Sequence, residues 1–127
     1  MTLWNESRSV YPAALLAALV DHAIAAWPNE CVGLVVSRGD RAWAIPLPAA
    51  ASPTQVWALE DWLISTLYSL EDAGIPILAA YHSHPGGLAA PSEADVHFAA
   101  TARDHILLVK TNGTFIPKVF TWTADLK

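Results

Sequence analysis

Residues Tyr81 to Asp95 read YHSHPGGLAAPSEAD and gather His82, His84, Ser92 and Asp95 into a short span behind an apolar run. That run, Ile75 to Tyr81, is opened by Gly74 and Pro76 and has the length and character of a buried strand. Histidines two apart on a strand leave the same face, so His82 and His84 can grip one ion together. Neutral imidazole suits zinc, a carboxylate from a neighbouring segment makes a third ligand, and water takes the fourth position. Asp95 is the nearest candidate carboxylate. Pro85, Gly86 and Gly87 break the strand, Leu88 to Pro91 form a loop, and Ser92 opens a helix that runs to Arg103.

Outward from this stretch, the spacing predicts a helix over Pro12 to Trp27, with Leu16, Leu19, Ala23, Ile24 and Trp27 on its apolar face, Ser9 as cap and Pro28 as stop. Cys31 to Ser37 and Ala42 to Leu47 flank Arg38-Gly39-Asp40-Arg41 as a hairpin. Pro48 to Pro53 reads as a connector. A second helix follows, capped by Thr54, striped by Val56, Leu59, Leu63, Leu67 and Leu70, and ended by Gly74. His105 to Lys110 is a buried strand, Asn112-Gly113 a hairpin turn, and Thr114 to Trp122 the return strand. Pro117 marks that strand as an edge or a bulge. The order α-β-β-α-β-α-β-β describes an α/β (α+β) chain, a mixed sheet with helices against it.

At 127 residues and 54% hydrophobic, with no repeat or low-complexity tract, the chain is expected to be one globular domain over residues 1–127. A net charge of −5 and no Lys or Arg block argue against nucleic-acid binding, which needs a basic patch. Val10 to Trp27 is too short, and too interrupted by Asp21 and His22, to span a bilayer. The one cysteine, Cys31, cannot close an internal disulfide, so a reducing, cytoplasmic setting is expected.

Each candidate also has a plain structural role. Ser92 and Asp95 fit a capping box, with Ser92 at the N-cap and a carboxylate three residues on. Glu30, between Asn29 and an apolar run, reads as a surface carboxylate. His22 is a solvent-facing or packing side chain, Cys31 a buried thiol, and Trp57 and Trp62 are packing residues before they are groove linings. His97 is turned away from Asp95 on its helix, and His105 reads as an ordinary hydrogen-bonded histidine. The patterns of helical zinc peptidases, nucleophile-elbow hydrolases and P-loop proteins are absent, and a lone cysteine rules out the deaminase zinc site.

His82-Ser83-His84-Pro85, then Ser92 and Asp95, with Glu30 upstream in the run Pro28-Asn29-Glu30-Cys31-Val32-Gly33-Leu34, resembles the JAMM (MPN+, Mov34/PAD-1, JAB) metalloprotease family. The resemblance covers nearly the whole chain and implies the cytidine-deaminase-like JAB/MPN architecture. It implies that His82, His84 and Asp95 hold one zinc ion with a bound water as fourth ligand. Glu30 would then be general base and acid, and Ser92 a donor to the oxyanion. Ser83 faces the other way and holds its loop by hydrogen bonds. The implied activity is hydrolysis of a peptide or isopeptide bond, at the C-terminus of a ubiquitin-like or sulfur-carrier protein ending in glycine. The chain is similar to compact prokaryotic or phage members, so a phage tail-assembly peptidase is the alternative. A non-catalytic MPN scaffold is the non-enzyme alternative.

Overall fold

Two short turns and one helix end set the frame. The computed structural model describes residues 4–7, 10–47, 49–51, 56–58, 60–87, 102 and 104–122. Strands β2 (Val32–Arg38) and β3 (Arg41–Pro46) pair antiparallel down to Arg38 and Arg41, joined by a tight turn in which Gly39 takes a φ of 64°. Further on, Asn112 and Gly113 both adopt positive φ between β7 (Asp104–Thr111) and β8 (Thr114–Trp122), the conformation a two-residue hairpin with the native twist demands. Helix α2 (Glu60–Asp72) closes on Gly74, whose φ of 68° lets the N–H of Gly74 bond the carbonyl of Glu71 and that of Ile75 the carbonyl of Leu70. This is the glycine-terminated Schellman arrangement.

With β1 (Trp4–Glu6) and β6 (Ile77–His84), these strands make one sheet in the order β1-β8-β7-β6-β2-β3. All pairs are antiparallel except β6 with β7, which makes the sheet mixed as expected. Helix α1 (Ala13–Ala26) lies on one face, where Leu15, Leu19 and Ala23 bury against Val35, Ala79, Tyr81, Ile106 and Leu108. On the other face, Leu70 of α2 packs with Val32, Leu34, Val36 and Ala80, and Leu63 and Leu67 lie partly buried beside them.

Several expectations change. Leu19 and Ala23 of the predicted α1 stripe are buried and Leu16 is partly buried, but Leu15 joins the buried row, and Ile24 and Trp27 are left 57% and 52% exposed. Trp27 has left the helix and lies under the Lys110 ammonium, 4.4 Å from its ring centroid. The helix begins after Pro12 with no side-chain cap; Ser9 lies outside the described residues. Val56 and Trp57 belong to strand β5 (Val56–Ala58), paired with β4 (Ala49–Ala51) inside the expected connector, and not to the second helix. β-Branched and aromatic residues favour that extended pairing. Strand β1 was not expected. Pro117 pairs with Leu108 in unbroken register, so it is no bulge; it lies short of Phe120, the first β8 partner of β1. Of the helix expected from Ser92 to Arg103 only Ala102 is described, buried and in neither helix nor strand; the rest lies outside the described residues.

Candidate metal centre

The end of β6 carries His82 and His84, both buried, on the sheet face they share with Ala80. Across the antiparallel pair Val32 lies opposite His82. The pairing continues past the strand end, where the Ser83 N–H donates to the Cys31 carbonyl at 3.1 Å and the Cys31 N–H donates to Ser83 Oγ at 2.9 Å. This two-bond lock holds the chain one residue beyond Cys31, and Glu30 arrives beside the two imidazoles. Glu30 is 5% exposed, which overturns its reading as a surface carboxylate. Ser83 has the hydrogen-bonding role expected of it.

Ligand atoms of Glu30, His82 and His84 all lie within 4.8 Å of one another. The Nε2 atoms of His82 and His84 face each other at 2.8 Å, with the rings 73° apart. The other ring nitrogen of His82, Nδ1, meets Nε2 of His105. Two imidazole nitrogens and one carboxylate, drawn together away from water, make a donor set that fits zinc. A buried carboxylate is otherwise expensive to keep ionised and calls for a compensating partner. The spread of up to 4.8 Å admits Glu30 as a direct ligand or as a group facing a water on the ion. Ser92, Asp95 and His97 lie outside the described residues.

Cys31 and His22 are kept apart from this cluster. Cys31 packs in the α1-side core, on the sheet face away from the histidine pair, and burial, the largest influence, pushes its thiol up to about 11. Nδ1 of His22 on α1 shares a hydrogen bond with the Tyr81 hydroxyl, 2.7 Å away, and the two rings meet edge to face. Partial burial lowers the pKa of His22 and so favours its neutral ring. Tyr81 alternates with His82 along β6, so the two face opposite sides of the sheet. His105, expected as an ordinary hydrogen-bonded histidine, has His82 as its partner, a pairing set by the parallel register of β6 and β7, which places Ala80 beside His105.

The family model for prokaryotic homologs of the JAB domain matches residues 12–124. A protein of Thermus thermophilus named "Probable TtuB-protein conjugate cleaving protease" is 38% identical over 87 residues, which are 67% of this chain. The chain spans 59% of that relative's length. The solution structure of DSY2949 from Desulfitobacterium hafniense matches with a TM-score of 0.65 at 22% identity, covering 87% of this chain and 82% of that one. The crystal structure of AF2198, a JAB1/MPN domain protein from Archaeoglobus fulgidus, matches with a TM-score of 0.51 at 24% identity, covering 74% and 71%. At those identities the two structures speak for the fold. Among the described residues, no helix is long and apolar enough to cross a membrane.

Proposed function

The chain belongs to the prokaryotic JAB-domain family, and from that premise we propose that it is a zinc-dependent peptidase cleaving a peptide or isopeptide bond at the C-terminus of a ubiquitin-like protein. The observation that carries the proposal is the buried cluster of Glu30, His82 and His84. His82, His84 and Asp95 would hold the zinc ion, which would supply Lewis acidity and make hydroxide available near neutral pH. Glu30 takes the proton of the attacking water and returns it to the leaving amine, a general base and acid step worth roughly 10²–10⁴-fold. The Ser92 hydroxyl donates to the oxygen that gains charge as the scissile carbonyl becomes tetrahedral. The relative named for cleaving a protein conjugate supports a conjugate as the substrate over a phage tail protein.

Glu30→Gln is expected to retain one zinc ion and to lose hydrolysis by roughly 10²–10⁴-fold, whereas Asp95→Ala loses both metal and hydrolysis. Metal analysis and a cleavage assay on conjugates of glycine-terminated ubiquitin-like proteins measure the two together. A fully active Glu30→Gln variant contradicts the assignment.

A further inference from the structure

Resting on the reading of this cluster as a zinc centre, we infer that His105 is a positioning residue for His82: its Nε2 accepts the Nδ1–H of His82 and fixes the tautomer whose Nε2 lone pair faces the metal position. A neutral imidazole carries one proton, and the nitrogen that ligates must be the bare one. The two nitrogens of His82 are committed to different neighbours, Nε2 to Nε2 of His84 and Nδ1 to Nε2 of His105. For His82 and His84 to offer converging Nε2 lone pairs, the proton of His82 has to sit on Nδ1. His105 must then accept at Nε2 and keep its own proton on Nδ1. The opposite placement, with His105 donating, leaves the proton of His82 on Nε2 and blocks the ligand.

The fold provides this contact and keeps bulk water from replacing it. His105 is fully buried, set level with Ala80 by the parallel pairing of β6 and β7 and opposite buried Phe120 on β8. Its ring centroid lies 4.6 Å from that of His82, with the planes 61° apart. A partner that orients a ligating histidine typically contributes 10–100-fold to metal affinity.

The test compares wild type with His105→Leu, which removes the acceptor, and His105→Gln, whose carbonyl oxygen reaches about as far as Nε2. Zinc affinity is measured by competition with a chromophoric chelator, and ligand geometry by the visible spectrum of the cobalt-loaded protein. His105→Leu is expected to bind zinc 10–100-fold more weakly with an altered cobalt spectrum, and His105→Gln to recover most of the affinity. A purely structural role would lower the melting temperature of the metal-free protein and leave the affinity of the folded protein unchanged. A folded His105→Leu variant with wild-type affinity and spectrum overturns the inference. Should that variant not fold, ¹⁵N NMR of the zinc-loaded wild type decides: a proton on Nδ1 of His82 and a bare Nε2 on His105 is expected, and a proton on Nε2 of His105 overturns it. Wild type that binds no zinc overturns the zinc reading itself, whereas equal affinities overturn only the role of His105.

Discussion

Cys31 is the neighbour of Glu30 in sequence and sits on the other side of the sheet from it in chemistry. Its buried thiol stays neutral until about pH 11, against an ordinary value of 9.0, so it is expected to resist thiol reagents at pH 8 until the protein unfolds. The sign of the pH effect follows. A group whose folded pKa is raised stabilises the fold below its unfolded pKa and loses that contribution as pH climbs to the folded value. Between pH 9 and about 11, wild type should therefore lose stability faster than Cys31→Ala, by up to about 1.4 kcal/mol per pH unit. Urea unfolding at pH 8, 9, 10 and 10.5 measures the difference, and parallel curves would contradict it. Residue types were legible here: an apolar flank identified a buried thiol, and histidines two apart on a strand identified side chains that share one buried face. Glu30 was legible only through the family resemblance, because by itself a carboxylate before a strand reads the same whether it ends exposed or buried. Only the lock between Cys31 and Ser83 brings it inward.

At the scale of the elements, β2 and β6 meet where Gly33 lies opposite Tyr81, and a side chain on Gly33 would enter the tyrosine ring. The glycine in the run Pro28 to Leu34 thus serves the strand pair that carries the histidines. Gly33→Ala is expected to destabilise the protein by about 1–3 kcal/mol, the cost of overpacking a filled site. In a Tyr81→Ala background that cost should largely vanish, since neighbours that share one contact are not additive. Tyr81→Phe, which removes only the bond to His22, should cost about 0.5–1.5 kcal/mol. Chemical denaturation of the single and double variants checks all three. The hairpin turns and the strand bearing His82 and His84 were legible because their signals are local: Gly39, Asn112-Gly113 and a period of two. The β4–β5 pair was not, because three-residue strands leave too short a pattern, and Val56 happened to continue the helical stripe of Leu63 and Leu67.

For the whole molecule, three segments distant in sequence meet only because the sheet runs in the order β7-β6-β2: Glu30 before β2, the histidine pair on β6 and His105 on β7. The order of the longer elements, α1-β2-β3-α2-β6 and β7-β8, was readable from the chain, but register between distant strands was not, and register is what brings these side chains together. A ligand that binds only the folded form adds stability by mass action, so zinc at 100 times its dissociation constant should stabilise the protein by about 2.7 kcal/mol. Thermal unfolding with and without zinc should show that rise in wild type and lose it in His84→Ala. The central claim, a zinc-dependent peptidase built on Glu30, His82 and His84, is tested most directly by hydrolysis of ubiquitin-like conjugates after complete metal removal and zinc readdition. Activity that disappears on chelation and returns with one equivalent of zinc is the predicted result, and activity that survives full metal removal would contradict it.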